Sequence, residues 1–332
     1  MVESDQPIIW IKNPLDVFAE NCEGGVVVQG QKIIELVQMG QTPKATIDET
    51  YDASTSVLLP GLINTHHHFY QTLTRAYPEA LNKELFPWLK SLYKVWANIQ
   101  PEMLSVSTEL ALSELLLSGC TTASDHHYLF SDQLENAIDI QVEEAQKLGM
   151  RVVLTRGSMS LGEKDGGLPP QSVVQTKEQI LSDSERLIKA YHDANEGSMT
   201  QIALAPCSPF SVTTDLMIET AELAEQQNVR LHTHLAETID EENFCLEKFG
   251  LRTVDYLESV GWLSGRTWLA HGIHFNKEEI KKLGENNVGI CHCPTSNMML
   301  ASGICHSLEL ENAGSVIGLG VMGSALASTL LQ

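Results

Sequence analysis

Apolar residues along most of this chain follow two alternating spacings, and these spacings predict a succession of strands and helices. From Leu58 onward, eight short apolar runs predict buried strands, and stretches with helical spacing lie between most of them. The predicted strands are 58–64, 121–125, 151–155, 201–205, 230–234, 267–270, 288–291 and 316–321. Strands that alternate with helices indicate an α/β fold with a parallel sheet.

The boundaries of the predicted helices are marked by individual residues. A helix over 101–118 has a proline in its first turn and Gly119 after its end. Thr176 and Gln179 fit a capping box at the start of another helix. Eight strand–helix units over about 260 residues match the ~250 residues of a closed (β/α)8 barrel of the TIM type. A doubly wound open sheet is the alternative, but no glycine-rich phosphate fingerprint follows the first strand.

The pattern before residue 58 is different, because it contains only short β runs separated by turns. The runs 26–29 and 32–37 flank Gly30, as the strands of a hairpin flank a turn. We therefore predict a small β-sandwich segment over residues 1–57 and a barrel over residues 58–332.

Charge narrows the range of partners. The chain has 21 basic and 43 acidic residues, a net charge of −22, which disfavours nucleic acids and anionic membranes and favours a small neutral substrate. Neither an apolar run of the ~18 residues that a membrane helix needs nor a secretory signal pattern is present. The seven scattered cysteines indicate a reducing, cytoplasmic compartment. Oligomeric state stays open, and a homo-oligomer is possible on these grounds.

Histidines fall at the ends of predicted strands. His66 and His68 follow the first strand, His234 ends the fifth and His271 ends the sixth. The carboxyl ends of barrel strands converge on one mouth, so these side chains should meet. Residues i and i+2 of an extended segment point the same way, so His66 and His68 can chelate one ion. Imidazoles without thiolates suit a single divalent ion, and we expect zinc, with iron as the alternative.

Two further motifs carry possible chemistry. Glu237 lies three residues after His234, where a carboxylate could shuttle protons beside a metal site. Cys291 and Cys293 have a C-x-C spacing without a second cysteine pair, which is a weak metal signal. We interpret these two cysteines as structural.

Several segments carry a family resemblance, namely PGLINTHHHFYQTLTRA, THLAET, LAHGIH and CPTSN. From about residue 7 to its end, the chain resembles the amidohydrolase superfamily, in the branch of purine, pterin and triazine hydrolases. NTHHHFYQTLTRA followed by LFPWLKSLY is similar to the pattern of 8-oxoguanine deaminases. The resemblance implies hydrolytic deamination of a purine-like heterocycle with release of ammonia. Hydrolysis of a chlorotriazine or aminotriazine is the alternative.

The resemblance also implies roles for individual residues. His66, His68 and His234 correspond to the metal ligands. Glu237 corresponds to the glutamate that protonates the ring nitrogen and relays protons. His271 corresponds to the histidine that orients the water or the leaving oxygen.

Three residues are candidates for substrate binding on the same resemblance. Gln71 stands shortly after His68, where guanine-type deaminases have a glutamine that contacts the purine edge. Trp88 and the loop around Cys207 would shape the pocket. For Trp88 the alternative is an ordinary aromatic side chain of the core.

The resemblance fails at the end of the eighth predicted strand. The family pattern G-V-D-G-S-A has an aspartate that binds the metal and accepts the proton of the water, but here Met322 takes that place. A thioether cannot accept that proton and is a poor ligand for a hard site. Family members also continue beyond Gln332 with a last helix and further β-strands, so we expect a truncated barrel and an incomplete β-sandwich.

A second hypothesis, of another class, follows from this departure. The chain would then be a catalytically impaired barrel that only binds metal or ligand. On this hypothesis we expect strongly reduced activity, and we expect Met322→Asp alone not to restore it.

Overall fold

The computed structural model describes residues 6–322 and divides the chain into two compact units. The first unit comprises Met1–Gly61 and Asn195–Gly197, and the second comprises Leu62–Ala194 and Ser198–Gln332. This division near residue 61 is a property of the backbone contacts. The assignment of 1–57 and 58–332 as domains stays a prediction.

Six short strands form the first unit within its described part. They are β1 (Ile8–Lys12), β2 (Asp16–Val17), β3 (Gly25–Gln29), β4 (Lys32–Val37), β5 (Glu49–Asp52) and β6 (Val57–Leu58). One sheet has the order β4-β3-β1-β5, and β2 pairs with β6 in a second. The predicted hairpin joins β3 to β4 through Gly30, whose φ of 56° lies in the region that glycine adopts without strain.

Eight parallel strands form one sheet in the described part of the second unit. They are β7 (Leu62–Asn64), β8 (Cys120–His127), β9 (Arg151–Ser158), β10 (Thr200–Pro206), β11 (Leu231–Leu235), β12 (Thr267–His271), β13 (Gly289–His292) and β14 (Ile317–Leu319). Each strand pairs with the next one along the chain, and the backbone N–H of Thr65 donates to Leu319 O at 2.9 Å. This bond brings the ends of the sheet together. The (β/α)8 prediction is therefore confirmed, because a doubly wound sheet would reverse its strand order.

Helices fill the connections between these strands. They are α1 (Leu85–Trp96), α2 (Pro101–Leu117), α3 (Ala137–Leu148), α4 (Lys177–Tyr191), α5 (Thr214–Gln227), α6 (Ile239–Phe249), α7 (Thr253–Ser259), α8 (Lys277–Glu285), α9 (Pro294–Met299) and α10 (Ser307–Ala313). The predicted capping box at Thr176 is present, since Thr176 accepts from the backbone N–H of Gln179 at 3.3 Å. None of the helices described here is long and apolar enough to cross a membrane.

The prediction of the first barrel strand was wrong in its extent. Residues 58–64 do not form one strand, because β6 ends at Leu58 and β7 begins at Leu62. Pro60 stands between them and has no N–H to donate to a neighbouring strand. The interruption makes β7 short, so His66 and His68 lie just beyond its end.

Strand β9 approaches β8 closely at Gly157. A Cβ atom added there would lie 2.1 Å from His127 O and 2.8 Å from the Cα of Tyr128. Both atoms belong to the backbone of the segment that carries His126, so they cannot move aside without shifting that strand. Glycine at this position allows the two strands to pair.

We expect Gly157→Ala to destabilise the barrel. Overpacking of this kind costs about 2 kcal/mol in free energy of unfolding, which urea denaturation monitored by circular dichroism would measure. Gly265→Ala is the matched control, because the nearest atom to a Cβ there is 3.6 Å away, an ordinary contact distance. Equal stability of the two variants would contradict the close approach.

Candidate metal centre

A cluster of buried histidines lies where the carboxyl ends of the barrel strands converge. It consists of His66, His68, His126, His232, His234 and His271. The ring centroids of His66 and His68 are 4.7 Å apart, and those of His234 and His271 are 5.5 Å apart. The strand ends therefore bring together residues that are separated by up to 205 positions in sequence.

Hydrogen bonds to oxygen acceptors locate the proton on three of these rings. The Nδ1 atoms of His68, His234 and His271 face, respectively, His126 O at 2.7 Å, Cys207 O at 2.7 Å and Asn297 Oδ1 at 2.7 Å. A carbonyl oxygen can only accept, so each Nδ1 carries the hydrogen. Each Nε2 of these neutral rings is consequently left with a lone pair.

These lone pairs converge. His68 Nε2 and His234 Nε2 are 3.1 Å apart, and two lone pairs at that distance repel each other unless positive charge lies between them. Ligand nitrogens of His66, His234 and His271 all lie within 4.8 Å of one another. Within residues 6–322, the Nε2 atoms of His66 and His271 have no hydrogen-bond partner. This donor set fits a divalent metal ion.

Burial keeps the cluster uncharged. Desolvation lowers the pKa of His234 to about 3, helped by the neighbouring His271, and lowers the pKa of His271 to about 4. It also holds the pKa values of His66 and His68 well below 6.5, and the other histidines add to the effect. The imidazoles are therefore neutral at pH 7, as a metal ligand must be.

Glu237 places a carboxyl group beside the histidine cluster. Its Oε2 is 3.5 Å from His271 Nε2, and its backbone N–H donates to Glu241 Oε2 at 2.9 Å. Burial raises the pKa of Glu237 to about 8 in the metal-free protein, so the carboxyl group holds a proton at neutral pH. Oε1 has no partner in the described part of the chain.

His271 has an unusual backbone conformation at the end of β12. Its φ is 72°, in the left-handed region that costs a non-glycine residue roughly 1–3 kcal/mol. Asn297, in α9, holds the ring through its side-chain oxygen. Sequence reasoning missed this role of Asn297, although the residue lies in the CPTSN segment.

Gln71 lies three residues after His68, and its backbone N–H donates to His68 O at 3.0 Å. It belongs to a short 3-10 helix over Phe69–Thr74, is fully buried, and its Oε1 has no partner among the described residues. Asp125 anchors the start of this helix by accepting from the backbone N–H of Phe69 at 2.6 Å. Asp125 was also missed from the sequence, because nothing in its spacing links it to residue 69.

Trp88 and Cys207 were also predicted to shape a substrate pocket. Trp88 is 8% exposed and packs against Trp96 at a centroid distance of 5.4 Å, within the apolar core. Cys207 follows β10, and burial raises the pKa of its thiol to about 12. The carbonyl oxygen of Cys207 positions His234, whereas the contribution of either side chain to a substrate pocket stays a prediction.

Met322 lies in a small cluster of sulfur-containing side chains. It is buried and packs with Cys291 and Cys293, whose Sγ atoms are 3.7 Å apart. This packing agrees with a structural role for the two cysteines. The expectations about residues 323–332 fall outside the described residues.

His127 provides a test of the buried, neutral imidazoles. Its pKa in the folded state is about 3, because of burial, against 6.5 in an unfolded chain. The unfolded state thus binds a proton that the folded state refuses, so stability is full above pH 6.5 and is lost as pH falls towards 3. In metal-free protein, we expect the loss of free energy of unfolding between pH 7.5 and 5.0 to be about 2 kcal/mol smaller in His127→Leu.

Urea denaturation at both pH values measures this difference, and each protein serves as its own reference. Any cost of the substitution itself cancels in the comparison. An unchanged pH dependence in His127→Leu would show that His127 is not held neutral by burial.

Comparison with known proteins agrees with the fold. The model of the amidohydrolase family matches residues 57–330. The chain is 65% identical to an 8-oxoguanine deaminase from Pseudomonas aeruginosa over 95% of its own length and 71% of that protein. It is 33% identical to an isoxanthopterin deaminase from an unknown prokaryotic organism, over 90% of the chain and 62% of that protein.

A solved structure shows the same architecture. The atrazine chlorohydrolase from Arthrobacter aurescens, complexed with zinc, superposes with a TM-score of 0.90 at 28% sequence identity. The match covers 97% of this chain and 74% of that one. With the family model matching most of its length, the chain belongs to the amidohydrolase family.

Proposed function

We propose that this chain is a metal-dependent deaminase that hydrolyses the exocyclic C–N bond of a purine-like heterocycle, with 8-oxoguanine as the favoured substrate. His66, His68 and His234 would hold one divalent ion, for which zinc is the first choice and iron the alternative. Gln71 would contact the edge of the purine. The substrate assignment is supported by the 65% identity to an 8-oxoguanine deaminase.

One observation carries the proposal. The unprotonated Nε2 atoms of the cluster converge, and one of them, on His271, lies 3.5 Å from Glu237 Oε2, whose carboxyl pKa is raised by burial to about 8 in the metal-free protein. Deamination of an aromatic ring needs a proton donor for the ring nitrogen next to a site that activates water. Glu237 would be the proton donor, and its Oε2 lies 3.5 Å from His271 Nε2, beside the proposed metal site.

The residues would divide the reaction as follows. When bound, a divalent ion supplies Lewis acidity, which makes water a competent nucleophile near neutral pH. The protonated Glu237 gives its proton to the ring nitrogen next to the carbon that carries the amine. His271 accepts a hydrogen bond from the attacking water through Nε2, because its Nδ1 proton is committed to Asn297.

The second half of the reaction returns the protons. Water adds to the amine-bearing carbon, and the Glu237 carboxylate takes up a proton that the water releases. Glu237 then passes this proton to the amine nitrogen, the C–N bond breaks, and ammonia leaves. As the ring carbonyl forms, the hydroxyl proton on that carbon moves to the Glu237 carboxylate, which thereby regains the proton that it first gave to the ring nitrogen.

Hydrolysis of a chlorotriazine or aminotriazine is the alternative within the family. It is supported by the structural match to the atrazine chlorohydrolase, and the same histidines and Glu237 would serve it. We also propose a cytoplasmic location, since all seven cysteines are unpaired and buried. Assembly into a homo-oligomer remains a proposal from the sequence.

We expect Glu237→Gln to abolish most turnover while metal binding persists. The amide keeps the shape of the side chain but cannot give up a proton, so kcat should fall by about 10²–10⁴-fold. The measurement is ammonia release from 8-oxoguanine, guanine, isoxanthopterin and aminotriazines, with metal content determined on the same samples.

Glu144→Gln is the control, because Glu144 is a buried carboxylate of α3 that binds Ser105 and Lys147 away from the cluster. The activity of the Glu144→Gln variant should equal that of the unchanged chain. Full turnover by Glu237→Gln would remove Glu237 from the mechanism. Release of chloride or alkylamine from triazines, without deamination of purines, would favour the alternative substrate class.

Met322 leads to a separate prediction about rate. No carboxylate stands at this position to accept a proton from water, and general-base catalysis contributes about 10²–10⁴-fold. We therefore expect kcat with 8-oxoguanine to lie at least about a hundredfold below that of the Pseudomonas aeruginosa relative assayed alongside. Steady-state ammonia release by metal-loaded protein gives the comparison.

Met322→Leu is the matched variant for this prediction. It keeps the apolar packing against Cys291 and Cys293 and removes only the thioether. Metal affinity and kcat should remain as they are, because the sulfur is expected to take no part. Turnover equal to that of the relative, with one ion bound, would contradict the impaired-barrel hypothesis.

A further inference from the structure

His232 is a buried histidine for which the proposed mechanism has no use. It lies in β11, two residues before His234, and is fully buried. Its Nδ1 faces Trp268 O on β12 at 2.8 Å. The carbonyl can only accept, so the proton of His232 is on Nδ1 and its Nε2 has a lone pair.

This lone pair is directed at His66. The distance from His232 Nε2 to His66 Nδ1 is 2.8 Å, and the pair is buried. Because His232 Nε2 can only accept here, His66 Nδ1 must be the donor. The proton of His66 is thereby placed on Nδ1, and Nε2, which has no partner within residues 6–322, keeps its lone pair.

His66 differs in this respect from the other predicted ligands. His68 and His234 donate to backbone carbonyls, whose orientation the strands fix. His66 donates to another imidazole, which could in principle present either nitrogen as a donor. Its acceptor therefore has to be fixed by a further group.

Trp268 provides that group. Its ring stacks on His232 with a centroid distance of 4.3 Å and an interplanar angle of 15°. Its indole N–H donates to Thr65 O at 3.1 Å, so the same residue also holds the backbone immediately before His66. The carbonyl and the stacked ring of Trp268 therefore hold His232 in this orientation.

We propose that His232 is a positioning residue that, through Trp268, fixes the proton of His66 on Nδ1 and so presents the His66 Nε2 lone pair to the metal. The proposal rests on the function proposed above, because it takes His66 as a metal ligand. Groups that orient a ligating histidine in this way typically change metal affinity by about 10–100-fold when they are removed.

The same geometry admits a competing interpretation. Nitrogens of His66, His126 and His232 lie within 4.8 Å of one another, and His126 Nδ1 has no partner in the described part of the chain. A second ion could lie among them if His66 lost its Nδ1 proton. The two interpretations differ in stoichiometry, since the positioning role requires one ion per chain.

The test measures metal affinity by competition of zinc with a chromophoric chelator, and metal stoichiometry by elemental analysis. His232→Leu removes the acceptor, and its zinc dissociation constant should rise by about 10–100-fold. His232→Gln offers an amide oxygen near the position of Nε2 and an N–H₂ group for Trp268 O. It should restore affinity to within a few-fold of the unchanged chain.

His127→Leu is the matched control. It also removes a fully buried imidazole, one whose Nε2 donates to Leu129 O, and zinc affinity should not change. A spectroscopic measurement covers the case in which His232→Leu does not fold. In the metal-free chain, ¹⁵N NMR of the histidine rings should show both His66 and His232 protonated on Nδ1.

Each outcome decides the question. Equal affinity in His232→Leu and the unchanged chain, equally weak affinity in the Leu and Gln variants, two ions per chain, or a proton on His66 Nε2 would each overturn the positioning role. Failure of the unchanged chain to bind zinc would instead overturn the proposed function. The NMR result would still report on the hydrogen-bonded pair of His66 and His232.

Discussion

Each ring of the proposed ligand set is constrained by the same requirement, that a buried imidazole must give its one hydrogen to an acceptor. Neighbouring segments of the barrel provide these acceptors, for example Cys207 O for His234 and His126 O for His68. Once the Nδ1 protons are committed there, the Nε2 lone pairs have to face the interior of the barrel. The affinity proposed for a divalent cation depends on this arrangement.

The sequence contained enough information for the fold and for the place where the histidines meet. Alternating strands and helices predicted the parallel barrel, and strand ends carry His66, His234 and His271 as expected. The prediction of one strand over 58–64 was wrong because the apolar pattern takes no account of the missing backbone N–H of Pro60. Local patterns thus predict which segments form strands better than where a strand stops.

The partners of the histidines could not be predicted in the same way. Asn297, Cys207 and Trp268 accept the protons of His271, His234 and His232 across 26 to 36 residues along the chain. No periodicity links a histidine to the carbonyl that will accept its proton, since that carbonyl is defined by the register of neighbouring strands. The tautomers of the rings are therefore a property of the assembled barrel rather than of any motif.

The division of the acceptors into backbone and side-chain groups has an evolutionary consequence. A main-chain carbonyl survives substitution of its own residue, so positions 126 and 207 can vary in side chain without moving the protons of His68 and His234. His66 and His271 instead depend on side chains, His232 and Asn297. A single substitution of His232 or Asn297 would therefore remove the acceptor of a ring proton in the centre, which a substitution at position 126 or 207 would leave in place.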